Sequence, residues 1–171
     1  MASALSAPYA VAAVLLCVAG VAKLRSPTAA VRALGTIGLA VGSTPLRAFA
    51  AGEIALGAWC ALAPVPISSA VMACVYVGFA GLTLLLARRA ASCGCFGGDR
   101  VAASTSQSIL SVALALVCLA AVRWVPHGIG WMLERPASLA TVWVMGTAAA
   151  VYGAVLAYTE LPLAWRSWGA R

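Results

Sequence analysis

The sequence predicts an all-α integral membrane protein: a bundle of about five transmembrane helices, a four-helix core plus one, with a short interfacial helix after the first span. Three observations carry that prediction. The first is composition: 64% of residues fall in AVILMFWYC, 9% are charged, and the mean hydropathy is +1.01. A soluble domain is about 45–50% apolar and about 25% charged, because charge has to cover its surface. The second is that apolar residues gather in five runs near the length that crosses a bilayer, about 20 residues for a core about 30 Å thick. The third is that the charges sit between those runs. The 171 residues suffice for one ordinary domain, so residues 1–171 read as a single transmembrane unit. A soluble cytosolic enzyme, a disordered tail and a secreted disulfide knot are excluded. The net charge of +7 does not point to nucleic acid, because the cations flank apolar runs as membrane topology requires.

The first run, Leu5–Ala22, ends in Gly20-Val21-Ala22, which resembles a signal-peptide cleavage site. No basic stretch precedes it, however, and Lys23 and Arg25 follow at once. Val14-Leu15-Leu16-Cys17 approaches a lipoprotein acylation site, but Leu16 is too large just before the cysteine. The run is read as an uncleaved anchor. Between Ser26 and Gly42, Ala30, Leu34, Ile37 and Val41 recur at three- and four-residue steps with Arg32 off the stripe. That segment is too short and too interrupted by glycine to span, so a helix over about 27–41 lies along the interface. Ser26-Pro27 and Thr44-Pro45 each place a capping oxygen before a first-turn proline. The second run, Ala48–Ala63, contains Glu53, and the uncharged hairpin Pro64-Val65-Pro66 turns it into the third, Ile67–Ala87. Ser104-Thr105-Ser106-Gln107 fits the capping box and opens the fourth, Ser106–Val122. The fifth is Ala137–Tyr158.

Five alternating spans divide the basic residues nine to two. Lys23, Arg25, Arg32, Arg47, Arg88, Arg89, Arg100, Arg166 and Arg171 fall on one side, Arg123 and Arg135 on the other. The positive-inside rule makes the nine-residue side cytoplasmic, with Trp124 and Trp131 marking one interface and Trp165 and Trp168 the other. Ten arginines against one lysine, with abundant alanine, suggest a GC-rich bacterial genome and hence a bacterial inner membrane.

The residues able to carry chemistry are few. Ser92-Cys93-Gly94-Cys95-Phe96-Gly97-Gly98-Asp99 follows the third span, a polar, glycine-rich loop where a partner can reach a thiol. A disulfide wants Cα atoms about 4.4–6.8 Å apart, which residues two apart meet only in a bent chain, and Gly94 supplies that freedom. So small a ring is strained, and strained exposed disulfides are the exchangeable ones. Arg88, Arg89 and Arg100 nearby favour a thiolate. Two other readings stand beside this one: inert small residues in a loop, and metal binding by two thiolates, although zinc normally takes four ligands. Cys17, Cys60, Cys74 and Cys118 lie within spans, where free cysteine packs like a small hydrophobe. Cys60, Cys74 and Cys118 share the membrane half away from the loop and could form a second pair, and Cys17 could serve as a third thiol. Glu53 is the one carboxylate inside a span and should face the bundle interior with a partner. Lys23 or Arg47 is that partner if Glu53 is an ion-pair member; the functional alternative is a proton carrier for thiol or quinone chemistry. A quinone is thus the one cofactor this reading admits. His127, between Trp124 and Trp131, reads as an interfacial residue rather than a ligand.

Gly20-Val21-Ala22-Lys23-Leu24-Arg25 closing the first span, Glu53 in the second, and Cys93-Gly94-Cys95-Phe96-Gly97 after the third resemble the MauE/DoxX family, and more closely its methylamine-utilisation MauE branch. The resemblance covers Gly20 to Gly97. It implies a helical membrane bundle, and a role in maturing a disulfide-rich periplasmic dehydrogenase subunit alongside a thioredoxin-like partner. The expected function is a membrane thiol–disulfide relay through Cys93 and Cys95. The alternatives are a non-catalytic subunit of a membrane complex, in which the cysteines and Glu53 only hold the fold, and a soft-metal binder or transporter. One tension runs through the reading: charge bias puts Cys93 and Cys95 on the cytoplasmic side, whereas disulfide formation belongs outside it. Either the topology is inverted, or electrons leave cytoplasmic thiols, or the cysteines are not an oxidant.

Overall fold

The computed structural model describes residues 2–89, 91 and 103–160, and every regular element among them is a helix. In chain order these are α1 Ala2–Arg25, α2 Pro27–Thr36, α3 Ser43–Leu62, α4 Pro66–Arg88, α5 Thr105–Arg123, α6 Ile129–Leu133 and α7 Ala137–Thr159. α1, α4, α5 and α7 are each long and apolar enough to cross a membrane, which makes this a multi-pass membrane protein. α3 is not among those four, because Arg47 and Glu53 interrupt its 20 residues. It nevertheless runs antiparallel along α1, with Gly20 facing Ala50 and Ile54, and Gly57 facing Ala13 and Cys17. Glu53, the buried charged residue of α3, meets its partner Lys23 on α1 instead of lipid.

Two glycines allow that close approach. A Cβ at Gly20 would stand 2.7 Å from the Ala50 carbonyl oxygen, and one at Gly57 would stand 2.6 Å from both the Ala13 carbonyl oxygen and Cys17 Sγ. Small residues at helix contacts are how helices pack in lipid, which offers no hydrophobic drive between them. Gly57→Ala is therefore expected to push α1 from α3 and destabilise the bundle by about 1–3 kcal/mol. A lowered melting temperature of the purified protein checks this, with Gly81→Ala, which opens onto free space, as the neutral comparison.

The core gathers Tyr9, Leu16, Met72, Tyr76, Leu114 and Cys118 from α1, α4 and α5. Side-chain hydrogen bonds tie the helices across it. Tyr9 Oη and Ser69 Oγ share one at 2.8 Å, Tyr76 Oη donates to the Ala12 carbonyl at 2.6 Å, and Ser108 Oγ donates to the Ala80 carbonyl at 2.8 Å. Gln107 Nε2 donates to the Tyr158 carbonyl at 2.7 Å, and Ser111 Oγ pairs with Tyr158 Oη at 2.7 Å, which fastens the end of α7 to the start of α5. Apart from such ties α7 is peripheral: Val151 and Tyr158 are its buried residues, and most of its apolar surface faces away from the rest of the chain.

Several local expectations change. α2 stops at Thr36, not Val41: Thr36 Oγ1 bonds back to the Ala33 carbonyl and Gly38 takes φ +88°, a left-handed conformation open to glycine. Its buried face is Ala29, Ala30 and Ala33. Ten residues rise about 15 Å, half a bilayer core, so α2 does not cross it. Ser26 makes no side-chain capping bond, and α3 begins at Ser43 with Gly42 as its cap, so Thr44 lies inside the first turn. At α5 the Ser104 N–H donates to Gln107 Oε1 at 3.1 Å, one arm of the capping box. The short helix α6 has no counterpart in the sequence reading.

Candidate functional site

The basic residues Lys23, Arg25, Arg32, Arg47, Arg88 and Arg89 come from the end of α1, from α2, the start of α3 and the end of α4, one end of the bundle. The candidate site lies at that end. Lys23 sits in the last turn of α1 and Glu53 midway along α3, and the antiparallel register brings them together. Lys23 Nζ donates to both carboxylate oxygens of Glu53 at 2.8 Å, and the two side chains are 6% and 1% exposed. Arg47, the other candidate partner in the sequence, is exposed in the first turns of α3. The Lys23 ammonium also stands 4.6 Å from the centroid of the Phe79 ring, a cation–π contact from α4. Every buried side-chain nitrogen and oxygen among the described residues has a partner.

Cys93 and Cys95 lie outside the described residues, as do Arg100, Trp165, Trp168, Arg166 and Arg171. The points where their loop leaves and rejoins the bundle are placed. The Ala103 N–H donates to the Ala91 carbonyl at 2.8 Å, so the two ends of the 92–102 connection meet. Ala103 is buried with Ala33 and Leu86, against Ile37, Leu82 and Ala91, and Arg89 Nη1 donates to the Thr36 carbonyl at 2.6 Å. That last bond places a cation at the C-terminal end of α2, where helix carbonyls lack partners. α2 thus packs against the described ends of the 92–102 connection, Ala91 and Ala103.

Beside the ion pair is a feature that the sequence did not announce. α3 packs on α1 and α4 packs on α5, while α3 and α4 touch each other much less. The two helices diverge from the Pro64-Val65-Pro66 turn and leave a crevice of about 610 Å³ open on one side. Its walls are apolar, α2 closes its end through Ala30, Ala33 and Leu34, and Lys23 is the one charged residue among the described residues that line it. Phe49 and Phe79 meet edge to face there, centroids 6.5 Å apart and rings at 85°.

The described cysteines are all free thiols and do not share one environment. Cys60 and Cys118 are buried in the core, Cys17 Sγ lies 3.6 Å from the Ile54 carbonyl, and Cys74 is exposed on the crevice wall. His127 stacks on Trp131 at 4.1 Å, and Arg135 stands 4.1 Å from the same indole, at the opposite end of the bundle. Among the described residues no three His, Cys, Asp or Glu side chains gather as a metal site would require.

Phe79 and Gly78 escaped the sequence reading, and Cys74 was read there as core filler or a member of a second pair, because their importance comes from the splay of two helices. The nearest sequence signal is the proline-bracketed turn from which the splay starts.

No curated protein and no solved structure matches the chain significantly. The family model described as methylamine utilisation protein MauE does match, over residues 1–126. That span takes in α1 to α5, the Lys23–Glu53 pair, the α3–α4 crevice and the Cys93-Gly94-Cys95 string, and it ends before α6 and α7. On a match covering well over half its length, the chain belongs to the MauE family of membrane proteins.

Proposed function

We propose that this MauE-family protein is a membrane thiol–disulfide relay, in which Cys93 and Cys95 exchange with a thioredoxin-like protein and so support the maturation of another protein. The observation that carries the reading is the placement of a Cys-Gly-Cys string on a connection whose two ends are hydrogen-bonded to each other, at the basic end of the bundle. A thiolate attacks a partner disulfide, a mixed disulfide forms, and the second thiol of the string displaces the partner and closes the ring. Electrons balance: two thiols become one disulfide here as one disulfide becomes two thiols on the partner, or the reverse. Arg88 and Arg89 next to the loop favour the thiolate form. The basic end is assigned to the cytoplasmic side of a bacterial inner membrane by its excess of cations.

A second reading, a non-catalytic subunit of a membrane complex, is favoured by one observation. Glu53 is bidentate to Lys23 and shielded from solvent, as a purely structural ion pair would be. Titrating the free thiols of purified protein with and without reductant, beside a metal assay, separates the readings. The relay predicts a gain of two thiols on reduction, both mapping to the peptide carrying Cys93 and Cys95. Stoichiometric metal and no gain points to a soft-metal binder, and neither result points to the assembly subunit.

A further inference from the structure

We propose that the crevice between α3 and α4 binds the ring of a lipid-soluble quinone, the electron acceptor of the relay; the acceptor role rests on the relay reading, whereas the binding site does not. A ligand site of this kind is concave, mostly apolar and about 300–1,000 Å³, with few polar groups to orient the occupant. The crevice meets each condition at about 610 Å³, with Lys23 the one charged residue among the described residues that line it. From Val71 to Leu82 it follows α4 for a rise of about 17 Å, room for a ring and the first part of an apolar tail.

The choice of occupant rests on charge and shape. Lys23 is already neutralised by both oxygens of Glu53, so the described residues lining this end of the crevice carry no net charge to attract a phosphate or carboxylate head. What it offers is an N–H donor. Two of the ammonium protons go to Glu53 and the remaining direction faces the Phe79 ring, a weaker partner that a ligand carbonyl can replace. Phe79 and Phe49 supply aromatic surface for a flat ring. A neutral, planar, carbonyl-bearing head on an apolar tail is a quinone.

The same crevice adjoins the base of the cysteine loop. Ala33 and Leu82 line it and also belong to the cluster that seats Ala91 and Ala103. Oxidising the Cys93–Cys95 dithiol breaks two S–H bonds, forms one S–S bond and releases two electrons and two protons. A quinone takes up both electrons and both protons at its two carbonyl oxygens and becomes a hydroquinone.

The test uses full-length protein carrying Cys93→Ser and Cys95→Ser together, in phosphatidylcholine nanodiscs, so that binding is read apart from turnover. A benzoquinone and a naphthoquinone, each with a short isoprenoid tail, are titrated separately and the bound quinone is quantified. Saturable binding near one per chain is expected for at least one of them. Gly78→Leu should weaken it about tenfold or more, because Gly78 is on the crevice wall and its Cβ direction is open, so the side chain fills the crevice without displacing a helix. Gly81→Leu, equally open but off that wall, should leave binding unchanged. No saturable binding of either quinone, equal binding in Gly78→Leu, or a retained phospholipid that neither quinone displaces would each overturn the assignment. If the quinone binds as expected while wild-type protein shows no reducible Cys93–Cys95 pair, the relay fails and the binding site stands.

Discussion

Serine at either Cys93 or Cys95 is expected to bring exchange with a thioredoxin-like protein down to the uncatalysed background, because a full turnover needs both sulfurs. Attack needs one thiolate, and release of the partner needs the other to resolve the mixed disulfide. The two single variants should differ in what accumulates. Cys95→Ser, which leaves Cys93 as the attacking sulfur, is expected to trap a covalent complex with the partner, visible on a non-reducing gel and dissolved by reductant. Cys93→Ser should show little of it. The reverse pattern would exchange the two roles and keep the relay. Complete activity in both single variants would remove it.

The second large effect concerns Lys23 and Glu53. Each charge is almost completely out of solvent, and each is paired with the opposite charge of the other at 2.8 Å. Removing one member leaves an uncompensated buried charge, which costs about 3–5 kcal/mol, whereas replacing both by apolar residues of similar volume is about neutral or stabilising. Lys23→Met and Glu53→Leu alone should therefore cut the yield of folded protein sharply and lower its melting temperature, and the double variant should restore both. The double variant then separates the two roles of the pair. If Glu53 only holds α3 to α1, the restored protein still exchanges normally with the thioredoxin-like protein, a readout that does not call on Lys23 as a quinone donor. If Glu53 passes protons during thiol or quinone chemistry, the restored protein is stable and inactive. Glu53→Gln refines the comparison, since the amide keeps the shape and loses the exchangeable proton.

The helices were legible in the sequence because hydropathy and turn residues act locally. The Pro64-Val65-Pro66 turn and the Ser104–Gln107 box mark where α4 and α5 begin. What depended on rotation of one helix against another was not legible. Arg47, six residues before Glu53, and Lys23, at the same membrane face on the first span, were both candidates for it; Gly20 and Gly57, which let α1 and α3 approach, settle the matter for Lys23. The end of α2 was missed for a local reason, the left-handed Gly38, which the repeating apolar steps through Ile37 and Val41 concealed. Cys74 read as core filler like Cys60 and Cys118, yet only those two are buried, since Cys74 faces a crevice that exists because α3 and α4 pack on different neighbours. Cys93 and Cys95 were legible as a string alone, and what the structure adds is the packing of Arg89, Ala91 and Ala103, on either side of that string in sequence, against α2.

In the proposed relay, Cys93 and Cys95 together carry electrons between a thioredoxin-like protein and the membrane. That step is read without intermediaries by a cysteine-oxidation assay in vesicles containing the full-length protein, a thioredoxin-like partner and a quinone acceptor, with wild type compared to the Cys93→Ser/Cys95→Ser double variant. Turnover is expected for wild type and background for the double variant at equal membrane content. Full activity in the double variant would refute the relay and leave the protein as a structural subunit of its membrane complex.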